Sequence, residues 1–482
     1  MKPLSLQEIR TAVGGKALTP LPKATPPILA VCTDTRRMEP SSLFVALRGD
    51  NFNANNFIPQ AAAGGAIAAL VDQVPDVTLP NVHLIKVDDT RVALGKLARH
   101  VRKQMSAKVI GVAGSNGKTS TKHLIHAALS AKLRGSISPK SFNNDIGVPL
   151  TIFPADPFQD YLVLEMGTNH PGEIKNLADM ALPDVGVITS IGAEHLEGLG
   201  DLRGVRAENA SLISGLNPRG AIVINGDDPE LRDAVEPYEG VKITFGFEDT
   251  NDLFATDVVC REDGTTFNLN NSRRGVFVPM LGRHAASNAL AALAVARRMG
   301  VPEELAVAEL GTSTKPEMRL SLHKIEARGI TLVNDAYNAN PSSMRAALET
   351  VKLLPCTGRR IAILGDMREL GDATDRYHRE IGEFAAACDL DHLICVGEKA
   401  QLYGDAAKVA GLEARAVAYF PEAKKAAPYV CDLVTDGDLV LIKASRSMRL
   451  EDVAKPLTDA QQHAARAPED PSQGFFLRLA AG

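Results

Sequence analysis

The feature that most constrains this chain is a buried-strand pattern that runs into a glycine-rich turn and then into a helix. The apolar run covers Val109–Ala113, glycines stand at positions 111, 114 and 117, and Lys118 and Thr119 open a helical pattern. In this arrangement turn N–H groups and a helix N-terminus face an anion, the lysine neutralises phosphate oxygens, and the hydroxyl holds Mg²⁺. The spacing departs from G-x-x-x-x-G-K-[ST], because position 112 is valine. A chance Gly-Lys-Thr in a surface turn is the alternative, and the flanking strand and helix favour nucleotide binding.

Composition and charge exclude several classes of protein. At 482 residues, and with domains of roughly 150 residues, about three domains are expected. A net charge of −5 argues against a nucleic-acid partner or an anionic membrane. The N-terminus lacks an apolar segment and no apolar run is long enough to span a bilayer, so we expect a cytoplasmic protein without membrane insertion. The six cysteines never stand at C-x-x-C spacing, which indicates neither a zinc site nor a disulfide framework. We expect a monomer.

The order of apolar runs predicts the fold class. Runs that end in polar residues begin at Tyr161, Val185 and Ala221; such runs are typical of central parallel strands, whose C-terminal ends build sites. Helical patterns lie between them, so a doubly wound α/β sheet is expected. The alternation restarts after about residue 318 without a second phosphate loop. We therefore predict an α/β protein of three domains: a small N-terminal α/β domain (1–107), a central P-loop domain with a doubly wound parallel sheet (108–318), and a C-terminal Rossmann-like α/β domain with a polar tail (319–482).

Two residues past the phosphate loop are candidates for chemistry. Glu165 ends an apolar strand, and a carboxylate beside the phosphate-loop strand can complete a Mg²⁺ shell. The alternative is an acid that only ends a strand. His195 stands in a polar turn after the next strand, where an isolated histidine is more often merely solvated.

Polar segments at other strand ends leave two interpretations open. The segment Asp335–Met344 offers acceptors for ribose hydroxyls and donors for a peptide-like substrate, but Asn340–Ser342 also fit a turn and helix N-cap. The segment Lys443–Ser447 places a cation and hydroxyls together, as recognition of a carboxylate or phosphate requires. The alternative is a basic surface turn. The turns at Thr33–Arg36 and Leu47–Asp50 are explained by turn chemistry alone.

Taken together, these segments resemble the Mur ligase family over nearly the whole chain, to about residue 455. The motifs that carry the resemblance occur in order: the phosphate loop, Glu165–Gly167, Ile191–Glu197, His284 with Asn288 before an alanine-rich helix, and Asn334–Pro341. Three further segments are similar to those of the member that extends a tripeptide by a dipeptide: Phe142–Pro149, Leu364–Gly371 and Lys443–Ser447.

The resemblance implies an ADP-forming, ATP-dependent carboxylate–amine ligase of peptidoglycan precursor synthesis. Its substrates would be UDP-N-acetylmuramoyl-tripeptide and D-alanyl-D-alanine, joined through an acyl phosphate with the help of two Mg²⁺ ions. The residues implied to bind ATP are Gly114, Ser115, Asn116, Gly117, Lys118, Thr119, Ser120, Asn288, Arg319 and Asp335. Those implied to bind the other substrates are Asp34, Thr35, Arg36, Arg48 and Gly49 for the UDP moiety, Asn143, Asn144, Asn338 and Asn340 for acceptor or amine, and Lys443, Ser445 and Arg446 at the substrate end of the C-terminal domain. Thr119, Glu165 and His195 would place the metals, and Lys118, Glu165, His195 and Arg319 would be catalytic.

One departure from the family pattern concerns the second metal. Members commonly carry a carbamylated lysine there, whereas this chain has Asn209. Our hypothesis is that the enzyme works without a carbamate, with Asn209 or Glu208 holding the metal's water shell.

Three rival classes remain: a folylpolyglutamate synthetase-like amide ligase, another P-loop ATPase or kinase, and an inactive binding protein. The N-terminal domain argues against the first, the second α/β domain against the second, and the intact set of Lys118, Thr119, Glu165 and His195 against the third.

Overall fold

The structure is a computed structural model that describes residues 1–21, 25–49, 52–74, 81–270, 272 and 275–464, without the side chains of 327 and 459–464. From residue 465 on, the expected polar tail lies outside the described residues. The chain divides into two compact units. The first unit comprises Met1–Val258, Thr266–Pro279 and His284–Thr314, and the second comprises Val259–Thr265, Met280–Arg283 and the chain from Lys315 onward.

The first sheet of the first unit has five strands in the order β1-β7-β6-β3-β2. Its strands and a small hairpin (β4 and β5) are β1 (Lys16–Ala17), β2 (Ala30–Cys32), β3 (Ser42–Val45), β4 (Arg48–Gly49), β5 (Phe52–Asn53), β6 (Ala66–Val71) and β7 (His83–Lys86). The helices of this part are α1 (Leu6–Val13), α2 (Ile58–Ala63) and α3 (Thr90–Arg102). Strand β1 runs antiparallel to β7, and the other pairs of the five-stranded sheet are parallel. Helix α3 begins behind an Asp89 side-chain cap.

The second sheet holds nine strands in the order β16-β15-β14-β13-β12-β11-β8-β10-β9. Its strands are β8 (Lys108–Ala113), β9 (Gly135–Ile137), β10 (Tyr161–Glu165), β11 (Val185–Ile188), β12 (Ala221–Asn225), β13 (Val241–Gly246), β14 (Leu253–Arg261), β15 (Gly264–Leu269) and β16 (Gly275–Val278). The accompanying helices are α4 (Lys118–Ser130), α5 (Gly147–Ile152), α6 (Glu173–Ala181), α7 (Leu196–Leu199), α8 (Leu202–Ala210), α9 (Pro229–Ala234), α10 (Arg283–Arg298) and α11 (Glu303–Leu310). Strand β8 lies between β10 and β11, parallel to both.

The sheet of the second unit has six strands in the order β17-β18-β22-β19-β20-β21. Its strands are β17 (Ser321–Ile325), β18 (Ile330–Asp335), β19 (Arg360–Gly365), β20 (His392–Val396), β21 (Val417–Phe420) and β22 (Leu439–Lys443). The helices are α12 (Pro341–Leu353), α13 (Thr374–Ala386), α14 (Gln401–Val409), α15 (Ala423–Leu433) and α16 (Glu451–Ala464). Only the edge strand β17 pairs antiparallel among these strands.

The prediction of an α/β fold with parallel sheets is confirmed. The predicted strands at 161, 185 and 221 are present because their runs are buried on both faces, as central parallel strands require. Sequence reasoning did not find the short strands β9 and β21 or the antiparallel edge strand β17. The predicted alanine-rich helix begins at Arg283 rather than at Asn288. In the described part of the chain, none of the helices has the length and apolarity needed to cross a bilayer.

Candidate nucleotide-binding site

The phosphate loop connects β8 to α4 and needs glycine at two positions. Gly114 has φ +124° and Gly117 has φ +82°, a region that side chains disfavour. A Cβ at Gly114 would lie 2.1 Å from Thr189 Oγ1, and one at Gly117 would lie 2.4 Å from Asn288 Oδ1. The glycines therefore let the loop turn and let the predicted ATP residue Asn288 approach its backbone.

The segment after β11 holds this loop in place. Ser115 N–H donates to the Ser190 carbonyl at 2.7 Å, and Asn116 N–H donates to Ser190 Oγ at 3.1 Å. Thr189 Oγ1 donates to the Asn116 carbonyl at 2.5 Å, and Gly192 N–H donates to Ser115 Oγ at 2.9 Å. The N–H groups of Ser115 and Asn116 are thus used within the protein.

Helix α4 begins at Lys118 without a side-chain cap. An N-terminus of this kind carries unsatisfied N–H groups and a partial positive charge. We conclude that an anion at this loop would meet the first turn of α4, where Lys118, Thr119 and Ser120 lie, more directly than the N–H groups of Ser115 and Asn116.

The Lys118 side chain folds back over its own loop. Its Nζ donates to the Gly114 carbonyl at 2.5 Å and to the Ser115 carbonyl at 3.3 Å. The same nitrogen lies 3.7 Å from Glu194 Oε2. The ammonium group is therefore held at the turn that the sequence predicts to bind phosphates.

Glu165 is the centre of a buried polar cluster. Thr119 Oγ1 donates to Glu165 Oε2 at 2.9 Å, and Asn143 Nδ2 donates to Glu165 Oε1 at 3.2 Å. The carboxylate is 1% exposed, and the pairing of Glu165 with Val112 fixes its place beside the phosphate-loop strand. The structure thus brings together three residues that the sequence analysis named separately.

Lys122 completes this cluster and was not identified from the sequence. Its Nζ lies 3.1 Å from Glu165 Oε2 and donates to the Lys140 carbonyl at 2.5 Å. The side chain is fully buried. The sequence signal that could have identified Lys122 is its spacing from Lys118. Residues four apart share a helix face, and Lys122 follows Lys118 by one turn of α4.

His195 and Glu194 lie on the other flank of the phosphate loop. His195 occupies the N-cap position of α7 with φ +49°, and its Nε2 lies 3.9 Å from Glu194 Oε2. Burial raises the pKa of Glu194, and the nearby Lys118 opposes that rise. Glu194, which sequence reasoning missed, stands in a polar turn that looks solvated when the sequence is read alone.

Asn209 and Glu208 make contacts other than those hypothesised. Asn209 Oδ1 accepts from Gly114 N–H at 2.7 Å, and its Nδ2 donates to the Val205 carbonyl at 2.9 Å. The Glu208 carboxylate accepts from Gly172 N–H at 2.7 Å and from Ile174 N–H at 2.8 Å, so it caps α6. Asn209 therefore positions the phosphate loop and Glu208 supports a helix, and their part in holding a metal's water shell stays a prediction.

The remaining amide of this region, Asn144, has a structural role. Its Oδ1 accepts from Gly147 N–H at 2.8 Å and from Ile146 N–H at 3.3 Å. It therefore stabilises the turn that leads into α5, and its part in substrate binding stays a prediction.

The candidate UDP residues form two ion pairs in the N-terminal part of the chain. Arg36 Nε donates to Asp34 Oδ1 at 2.8 Å, and this hydrogen bond is the main reason why the pKa of Asp34 falls to about 2. Thr35 opens the short 3₁₀ turn that Asp34 caps. Arg48, next to Gly49 in β4, pairs with Asp72 through a 3.0 Å hydrogen bond from Nε.

In the second unit, strand register joins Asp335 to Lys443. The two residues face each other across β18 and β22, and Lys443 Nζ donates to Asp335 Oδ2 at 2.5 Å and to the Asn338 carbonyl at 2.9 Å. Both side chains are largely buried. Arg319 stacks on the ring of Tyr337 at 4.2 Å.

The N-cap interpretation of the segment after β18 is confirmed. Asn340 Oδ1 accepts from Ser343 N–H at 2.9 Å and begins α12, with Pro341 in its first turn. Ser445 Oγ accepts from Arg368 N–H at 2.9 Å, which links Lys443–Ser447 to Leu364–Gly371. Arg446 Nη1 lies 3.1 Å from Glu451 Oε1.

The fold and this site define a ligase of known type: the chain belongs to the Mur ligase family. The model of the Mur ligase middle domain matches residues 112–296, and that of the Mur ligase glutamate ligase domain matches residues 318–446. Several relatives of this chain share one name. The UDP-N-acetylmuramoyl-tripeptide–D-alanyl-D-alanine ligase of Bacillus subtilis is 37% identical over 433 residues, which are 90% of this chain and 94% of the relative.

Two solved structures agree with this assignment. MurF from Acinetobacter baumannii is 29% identical, with a TM-score of 0.86 over 95% of this chain and 99% of that one. The MurF ligase from Thermotoga maritima, solved in complex with ADP, is 27% identical, with a TM-score of 0.80 over 91% of this chain and 99% of that one.

Proposed function

We propose that the protein is an ATP-dependent ligase that joins D-alanyl-D-alanine to UDP-N-acetylmuramoyl-tripeptide, with release of ADP and phosphate. The observation that carries the proposal is the junction of β8 and α4. There an uncapped helix N-terminus, the Lys118 ammonium and the Thr119–Glu165 pair lie together. Relatives of that name match this chain over nearly their whole length, which supports the choice of substrates and a place in peptidoglycan precursor synthesis.

The reaction requires two anions to meet. An oxygen of the tripeptide carboxylate attacks the γ-phosphorus of ATP, the bond to ADP breaks, and an acyl phosphate forms. The dipeptide amine then attacks the acyl carbon, phosphate leaves, and the amine loses a proton. Lys118 and the α4 N-terminus offset the repulsion of the first step, so catalysis depends chiefly on electrostatics and positioning.

We include two Mg²⁺ ions in the proposal. The Thr119 hydroxyl and the Glu165 carboxylate are hard oxygen donors 2.9 Å apart, and they fit the ligand preference of Mg²⁺; His195 is the third proposed ligand. In the described part of the chain no three His, Cys, Asp or Glu side chains converge on one point. Phosphate oxygens and waters would therefore complete the shells, as is usual for this ion. When bound, the metal neutralises charge on the transferred phosphate.

The other predicted roles stay part of the proposal. In the first unit the paired Asp34 and Arg36, with Arg48, offer charged groups to a UDP moiety, and Asn288 lies against the phosphate loop. In the second unit Arg319, Asp335, Lys443 and Arg446 are candidates for ATP or substrate. The domain boundaries 1–107, 108–318 and 319–482 are retained because each of the three sheets falls within one of these ranges.

The phosphate-loop lysine provides the test of this proposal. Lys118→Ala removes the ammonium group and is expected to lower the ligation rate by about 10²–10⁴-fold, which is several kcal/mol of transition-state stabilisation. The rate is measured as ADP release with all three substrates present, and circular dichroism shows that the variant is folded. Lys96→Ala, an exposed lysine on α3, is the matched control and should leave the rate unchanged. Wild-type turnover in Lys118→Ala would overturn the role of this lysine.

A further inference from the structure

Glu194 is a buried carboxylate that the reaction described above does not use. It is 7% exposed and lies in the segment after β11 that holds the phosphate loop. Its Oε2 is 3.7 Å from Lys118 Nζ and 3.9 Å from His195 Nε2. Within the described part of the chain, its Oε1 is buried without a hydrogen-bond partner. A buried carboxylate requires a cation or donors, so this oxygen marks a position where a partner belongs.

Once a nucleotide is bound, the Lys118 ammonium cannot serve as the full partner of the Glu194 carboxylate. Its ammonium group is held by the Gly114 and Ser115 carbonyls and by the more distant Glu194. In the proposed function the same ammonium neutralises phosphate oxygens. The bound phosphates then add negative charge close to Glu194 and compete with its carboxylate for the Lys118 ammonium. A second positive charge is therefore needed close to Glu194.

We propose that Glu194 supplies an oxygen ligand, directly or through a bound water, to a divalent cation that enters with the nucleotide. The inference rests on the proposed function, and it adds a ligand to the set of Thr119, Glu165 and His195. Carboxylate oxygen is a preferred donor for Mg²⁺, and this ion is commonly bound by one or two carboxylates together with substrate phosphates. The neighbouring His195 places a second proposed ligand beside the first.

The affinity for Mn²⁺ tests the role of Glu194 as a metal ligand without a measurement of catalytic turnover. The wild type and the variants Glu194→Gln, Glu194→Asp and Glu197→Gln are saturated with a non-hydrolysable ATP analogue and titrated with Mn²⁺, and the free ion is followed by electron paramagnetic resonance. We expect Glu194→Gln to weaken Mn²⁺ binding at least about tenfold. Glu194→Asp should lie between this variant and the wild type, and it provides the test if Glu194→Gln does not fold. Glu197 is an exposed acid of the same segment, and its variant should bind as the wild type does.

The outcomes separate this proposal from the proposed function. Unchanged Mn²⁺ affinity in Glu194→Gln, with the analogue still bound, would overturn the role of Glu194 alone and leave the ligase reaction in place. A wild-type protein that binds no analogue would overturn both.

Discussion

Lys122 places a positive charge inside the first unit, where it contacts Glu165 Oε2 at 3.1 Å. The ammonium also donates to the Lys140 carbonyl, so the Glu165 carboxylate receives a cation, the Thr119 hydroxyl and the Asn143 amide. These partners compensate the burial of the Glu165 carboxylate. Lys122 therefore helps to hold the Glu165 carboxylate beside the phosphate loop, where the proposed metal would bind.

The energetic coupling of Lys122 and Glu165 is open to measurement. Lys122→Met removes the cation and leaves the carboxylate buried with neutral donors only, so the free energy of unfolding should fall by about 3 kcal/mol. The double variant Lys122→Met/Glu165→Gln should lose less than the sum of the two single variants, as determined from urea denaturation. Strictly additive losses would show that the two charges do not depend on each other.

Asn209 makes the protein independent of carbon dioxide in our account. Its carboxamide cannot be carbamylated, and its Oδ1 already accepts from Gly114 N–H. The ligation rate should therefore be the same in buffer stripped of carbon dioxide and in buffer with added bicarbonate, as followed by ADP release. A rate that falls on stripping and recovers with bicarbonate would contradict this account.

Helix α13 of the second unit is anchored through a buried neutral histidine. His378 is fully buried, its Nδ1 lies 2.7 Å from the Thr374 carbonyl, and its Nε2 accepts from Met367 N–H at 3.1 Å. Its ring also stacks on Tyr403 at 4.7 Å between centroids. The histidine thereby fixes the loop that contains the family segment Leu364–Gly371.

The protonation of His378 should make stability depend on pH. Burial lowers the pKa of His378, although the Thr374 carbonyl, Asp366 and Asp375 oppose the effect, while Lys399 reinforces it. The unfolded chain then binds the proton more readily, so this contribution to stability is complete above about pH 6.5 and declines as the pH falls below that value, with a slope of up to about 1.4 kcal/mol per pH unit.

Variants of two histidines isolate this effect. Urea denaturation between pH 5 and 7.5 should show a shallower decline for His378→Gln than for the wild type. His323→Gln, at an exposed position of the same unit, should follow the wild type. Equal slopes for all three proteins would show that His378 does not titrate on unfolding.

Helices and strands could be predicted from the sequence more readily than the contacts between them. The strands β8, β10 and β11 were predicted because continuous apolar runs and glycine turns are local signals, and β10 ends at Glu165 as expected. The Asp335–Lys443 pair was not predicted, because it depends on β22 lying next to β18, a strand order that no local pattern reveals. Glu194 was missed for a similar reason, since its burial comes from the phosphate loop packed against it.

At the scale of the whole molecule, three α/β sheets follow one another along the chain, and the phosphate loop lies on the middle one. The similarity to relatives extends over all three sheets, because the aligned region covers 90% of this chain and 94% of the Bacillus subtilis relative. The proposed reaction is therefore assigned to the complete set of sheets and not to the phosphate loop alone.

The most direct test of the central claim is product formation with each substrate omitted in turn. The purified protein is incubated with ATP, Mg²⁺, UDP-N-acetylmuramoyl-tripeptide and D-alanyl-D-alanine, and mass spectrometry follows the joined product while ADP is counted. We predict that product appears only in the complete mixture, with one ADP released for each amide bond formed. Release of ADP at an undiminished rate without the dipeptide, and no joined product in the complete mixture, would contradict the account.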